Sequence, residues 1–124
     1  MNKKSKNTDL LITEIIKGID DVKGEHIILM DLREIENTVC DYFIICDGTS
    51  NTQVSAISAS IQKNVSKKLK EKAWHVEGES FAEWILIDYV DVVVHVFQKP
   101  TREFYNIEEL WGDAKITSFD SSTK

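Results

Sequence analysis

The stretch LIDYVDVVVHVF, residues 86–97, decides how this chain folds. Asp88, Tyr89, Val90 and Asp91 read as a turn between two strands, residues 83–88 and 91–97. In the second strand, alternation places Val92, Val94 and Val96 on one side. Asp91, Val93, His95 and Phe97 fall on the other. The same stretch poses a functional question. Two aspartates beside a histidine invite a catalytic reading, and a hairpin end rich in large side chains invites an interface reading.

Upstream of the hairpin lies the clearest helix signal. Ser50 and Gln53 have capping-box spacing, and Val54, Ile57, Ile61, Val65 and Leu69 follow on one face. The helix is expected to run to about Ala73, long enough to cross between strands of one sheet. Its other side carries Lys63, Lys67 and Lys70. Residues 74–81 read as irregular and acidic. Before the helix, YFIIC (residues 42–46) and HIILMDL (residues 26–32) read as strands. The latter is apolar enough to be buried on both faces, and the two are expected to be adjacent and reversed. Thr8 or Asp9 is placed to cap a first helix to about Ile19, with Leu11, Ile12, Ile15, Ile16 and Ile19 on its apolar side. A short last helix is expected near residues 102–111. The pattern is α/β: a compact mixed β-sheet with flanking helices. Residues 1–7 are expected to be a flexible N-terminal tail, 8–114 the domain, and 115–124 a C-terminal tail.

A chain of 124 residues, 42% apolar, suits one domain with one core. The start MNKKSKNTD leads into no uninterrupted apolar run, and no run reaches bilayer length. Cys40 and Cys46 read as free thiols of a cytoplasmic protein. The formal charge of −6 is uneven. Residues 74–113 hold nine acids against Lys99 and Arg102. That half disfavours a phosphate backbone and suits a basic protein surface.

Several motifs touch on chemistry without completing it. DGTS (residues 47–50) precedes a helix but lacks the P-loop arrangement. A metal-dependent nucleotidyltransferase would need carboxylates converging on divalent ions, and Asp47, Asp88 and Asp91 are the candidates. His95 has no partner at triad spacing, and His26 and His75 form no zinc pattern with it. The lysines of residues 63–72 could meet RNA but lack interleaved aromatics. Trp84, Tyr89, Phe104, Tyr105 and Trp111 are the better interface candidates, because large rings anchor protein contacts.

Together these runs form a signature. EGESFAEWILIDYVDVVVHVF followed by REFYNIEELWGDA, with DYFIICDGTSNTQVSAISASI and KGEHIILMDLREI upstream, resembles the ribosomal silencing factor (RsfS, Iojap-like) family over residues 10–114. The resemblance implies a nucleotidyltransferase-like fold without evident catalytic machinery, no enzyme activity and no cofactor. It implies a cytoplasmic translational repressor. Such a protein binds the large ribosomal subunit through a ribosomal protein on its intersubunit face and blocks small-subunit joining. A homodimer and a secondary contact with RNA are further expectations. Alternatives are the metal-dependent enzyme and an RNA-associated ribosome assembly factor. The positions carried over as interface candidates are Trp84, Asp88, Tyr89, Asp91, His95, Tyr105 and Trp111, with Val90 added where the family has glycine. Glycine permits a positive φ that β-branched valine resists. An outward Val90 beside Trp84 and Tyr89 is expected to enlarge a docking patch.

Overall fold

The computed structural model describes residues 2–119, with side chains described from Thr8 onward. Along the chain come α1 (Asn2–Asp21), β1 (Glu25–Asp31), β2 (Tyr42–Gly48), α2 (Asn51–Leu69) and β3 (His75–Glu77). They are followed by β4 (Trp84–Asp88), β5 (Val92–Gln98), α3 (Lys99–Tyr105), α4 (Ile107–Leu110) and β6 (Lys115–Phe119). The strands form one mixed sheet in the order β3-β4-β5-β2-β1-β6. β1 and β2 pair antiparallel, as their spacing led one to expect. The hairpin of β4 and β5 forms as read, and β5 returns parallel to β2 after the α2 crossover.

The two sides of β5 serve two cores. Val92, Val94 and Val96 face α1 and α2, together with Ile44, Cys46, Ile85 and Ile87. Val93 and Phe97 face the other way, with Met30, Phe43, Ile45 and Ile107. Among the described residues, the second face is covered by the 32–41 loop, the short helices and the segment after them, through Leu32, Ile35, Cys40, Ile107, Trp111 and Ala114.

The two long helices pack closely because Gly18 has no side chain. A Cβ there would lie 2.8 Å from the Ile61 Cα. Ser60 Oγ donates to the Gly18 carbonyl at 2.7 Å, and Asn64 donates to that of Glu14 at 2.7 Å. Ser50 caps α2 by accepting from the Gln53 amide at 3.1 Å, while Gln53 Oε1 accepts from the Thr49 amide at 2.7 Å. The reciprocal half of the expected box is therefore moved one residue upstream.

Several expected boundaries differ. α1 starts at Asn2 rather than at a Thr8 or Asp9 cap, and Thr8 is buried within it. α2 ends at Leu69 because Lys70 turns left-handed, φ 58°, and donates to the Ser66 carbonyl. Residues 75–77, expected to be irregular, form β3 against β4. The single terminal helix is two, broken at Asn106 with φ 45°. Residues 115–119, assigned to a tail, are a sheet strand paired antiparallel with β1. The rest of that expected tail, residues 120–124, lies outside the described residues.

Candidate interaction surface

The Trp84 end of the β4–β5 hairpin gathers an aromatic platform on the second face. Trp84 is set beside Phe97 by strand register, their rings 4.8 Å apart. Tyr105, on the last turn of α3, reaches the Trp84 ring at 4.9 Å, and Phe104 meets Tyr105 edge-on at 5.0 Å. Phe43 joins His95 at 4.5 Å to Trp111 at 5.9 Å. Phe104 is 80% exposed and Leu110 is 74% exposed, which is costly for a solvent surface and ordinary for a contact surface. Glu103, Glu109 and Asp113 are exposed on or just after the same short helices.

His95 supports this platform from below. It is buried, and its Nδ1 accepts a hydrogen bond from the Trp84 indole at 3.1 Å. An indole N–H can only donate, so the neutral imidazole carries its proton on Nε2. Among the described residues, Nε2 is buried and has no hydrogen-bond partner. Burial pushes the histidine down to about 4, so it is neutral at pH 7. Among the described residues no nucleophile is hydrogen-bonded to it, and its visible work is to fix the Trp84 ring.

A buried ion pair anchors the helices that carry the platform. Arg102 on α3 donates to Asp47 at 3.0 Å, to the His26 carbonyl at 2.8 Å and to Glu108 at 2.8 Å. Asp47 also pairs with His26 Nδ1 at 3.0 Å. Glu25, His26 and Asp47 have donor atoms near enough together to suit a cation. The Arg102 guanidinium already neutralises Asp47 there, so the set reads as a structural clamp. Sequence reading missed this clamp. Its one available signal is Arg102 itself, one of two cations among nine acids in residues 74–113.

The other end of the hairpin separates the remaining candidates from the platform. Asp88 Oδ1 accepts from the Val90 amide at 2.7 Å, and the Asp91 carbonyl accepts from the Asp41 and Tyr42 amides. Both aspartates frame the turn, and Asp91 also ties it to β2. Tyr89, expected at the surface, is 4% exposed and packs in the helix-side core. Among the described residues its hydroxyl finds no hydrogen-bond partner, and burial pushes it up to about 12. Asp47 lies level with Phe97, whereas Asp91 precedes Val92, which pairs with Tyr42. Five strand residues at roughly 3.3 Å each separate those levels by about 17 Å. The three carboxylates named for a metal-dependent enzyme therefore do not converge.

Val90 is exposed with φ 77°. The Asp91 amide donates back to the Tyr89 carbonyl at 3.0 Å, closing a three-residue turn around it. The turn keeps the positive φ that suits glycine and holds a β-branched residue in it, a strained combination. The expected patch of Val90 with Trp84 and Tyr89 does not form, since Trp84 is at the far end of β4 and Tyr89 points inward. Val90→Gly is expected to stabilise the fold by about 1 kcal/mol, after the added freedom of the unfolded chain is discounted. Urea unfolding measures this, and a lower midpoint in the variant would contradict the strain.

Cys40 and Cys46 are free and buried. Burial pushes the Cys40 thiol up to about 11 and the Cys46 thiol up as well, away from reactivity. Among the described residues no helix is long and apolar enough to cross a membrane.

Comparison with known proteins gives a consistent result. A family model described as "Ribosomal silencing factor during starvation" matches residues 4–124. Ribosomal silencing factor RsfS of Halalkalibacterium halodurans is 40% identical over 110 residues, 89% of this chain and 92% of that protein. The Bacillus subtilis protein of the same name is 40% identical over 120 residues, covering 97% of this chain and 96% of its own. A crystal structure of a Chromobacterium violaceum protein superposes with a TM-score of 0.79 at 33% identity, covering 94% of this chain and 95% of that one.

Proposed function

Because the chain belongs to the ribosomal silencing factor (RsfS) family, we propose that it represses translation by binding the large ribosomal subunit. In this reading it grips a basic ribosomal protein on the intersubunit face and blocks small-subunit joining by occupying space. It acts in the cytoplasm, without a cofactor and without catalysis. The observation that supports this is the aromatic platform of Trp84, Tyr105, Phe104 and Trp111, with exposed acids beside it. Rings supply buried apolar area, while carboxylates select a positively charged partner and set its register. A standard interface buries roughly 1,600 Å² in total, about 800 Å² from each partner. That is a small share of the 7659 Å² surface described for this chain.

The test is sedimentation with isolated large subunits, followed by a subunit-joining assay. Phe104→Ser and Leu110→Ser remove exposed apolar contacts without opening the core. The double variant should bind at least about tenfold more weakly and relieve the block on joining, since a central contact is worth more than 1 kcal/mol. Its melting temperature should stay near that of the parent. A parent protein that does not bind large subunits defeats the reading. Unchanged binding by the double variant removes the platform from it.

A further inference from the structure

The tip of the β4–β5 hairpin carries a second apolar surface, at the end of the sheet away from the platform. Trp84 pairs with Phe97 at the platform end, and Asp88 pairs with Val93 four residues further on. At roughly 3.3 Å per residue, about 13 Å separates the two levels. Three apolar side chains stand out around the tip: Val39, 87% exposed, Trp74, 75% exposed, and Val90, 56% exposed. Hydrogen bonds bring them together from three parts of the chain. The Trp74 amide donates to the Asp88 carbonyl at 2.8 Å, and Asp88 Oδ1 accepts from the Val90 amide at 2.7 Å. The Asp41 amide donates to the Asp91 carbonyl at 2.9 Å. Val39 is two residues before Asp41, a reach of at most about 7 Å.

A lone exposed valine is ordinary, whereas apolar groups gathered from residues 39, 74 and 90 form a patch. Val90 adds an independent observation. Its backbone is held at a strained positive φ, yet the side chain projects into solvent and belongs to neither core. Strain that serves no packing marks a site with another use.

Carboxylates ring the patch. Asp41, Asp88 and Asp91 belong to the contacts just named, and all three are half-buried. Glu71 lies near enough to Asp91 that burial and the Asp91 charge together hold its carboxyl above the usual range. Arg33, the cation that senses Asp41, is already held by two side-chain hydrogen bonds to Asp31. Lys70 and Lys72 flank Glu71 and stand exposed on the rim.

We propose that the hairpin tip is a docking site for a short basic segment of a partner protein, one that carries an arginine beside an apolar side chain. Trp74 offers a ring face to the guanidinium, the ring type that attracts a cation most strongly. Val39 and Val90 cover the apolar neighbour, and the carboxylates fix its register. The rim lysines disfavour a broad basic surface, and the acids disfavour a phosphate backbone. The tip stands apart from the platform, so both can be occupied at once.

The test titrates a short Gly-Ser peptide carrying two Arg-Leu pairs into the isotope-labelled full chain, followed by NMR. Signals of Val39, Trp74 and Val90 should shift, and those of Trp84 and Phe104 should not. The same peptide with Glu-Leu pairs, and a short RNA duplex, should bind at least about tenfold more weakly. Val39→Ser, Trp74→Ser and Val90→Gly combined should weaken the Arg-Leu peptide at least about tenfold. Val90→Gly alone should weaken it at least about threefold. Because that change relieves strain, its loss of binding cannot come from unfolding. The triple variant should bind large subunits as the parent does. No shift at the tip, equal affinity of parent and triple variant, or tighter binding of the duplex would overturn the proposal. Loss of large-subunit binding by the triple variant would overturn it too, by making the tip part of the docking surface already described.

Discussion

Arg102→Met should lower the stability of the fold by about 3–5 kcal/mol. Arg102 is 9% exposed, and its guanidinium satisfies three acceptors from different parts of the chain. Among the described residues, removing it leaves Asp47, 3% exposed, with a half-exposed imidazole as its remaining side-chain partner. A buried carboxylate without its counter-ion costs far more than the intact pair contributes, because its hydration has already been lost. For a domain whose total stability is about 5–15 kcal/mol, that is a large fraction. A melting temperature lower by about 10 °C or more is expected. Asp47→Leu combined with Arg102→Met should recover part of the loss, because no charge is then stranded. A single variant within about 1 kcal/mol of the parent would show that Arg102 does not clamp α3. The clamp also matters for docking, since α3 carries Phe104 and Tyr105. Large-subunit binding by the single variant should therefore fall below what its folded fraction explains.

Much of the scaffold was legible because its signals are local. The Ser50 cap, the apolar face of α2 and the valine alternation of β5 each lie within one element, where period and chemistry agree. β6 was illegible for the opposite reason. KITSF is exposed along most of its length and is placed by backbone pairing to β1, which leaves no apolar pattern to read. β3 is three residues long and also an edge. At the candidate surface, the rings announced themselves by type, but their convergence needed the sheet. Tyr89 was misplaced although its signal was present. It continues the alternation of Ile85 and Ile87, both buried on the helix side, and alternation outranks proximity to a turn. The Arg102 clamp joins residues 55 and 76 positions apart, a separation no spacing rule anticipates.

Acidification should destabilise the fold through His95, and the direction follows from its burial. An unfolded histidine titrates near 6.5, whereas burial holds the folded one down to about 4. At pH 7 the folded residue is neutral and the unfolded one mostly so, and the residue adds little pH dependence. As pH falls below about 6.5, the unfolded chain takes up a proton that the folded chain refuses, so unfolding is favoured. The loss grows until pH reaches about 4, where the folded form also protonates, and then levels off at about 3 kcal/mol. Protonation of Nδ1 removes the acceptor that holds the Trp84 indole, so in the folded protein the platform loosens only as pH falls to about 4. Carboxylates add their own acid dependence. Asp31, held low by its hydrogen bonds to Arg33, loses that contribution as it protonates. His95→Asn separates the two effects, because its amide oxygen can still accept from Trp84 and it cannot titrate. Urea unfolding at pH 7 and again near pH 4 should show the parent losing about 3 kcal/mol more than the variant. Parallel losses would mean that His95 is protonated as readily in the fold as outside it. Its place beneath Trp84 would then be one of shape alone.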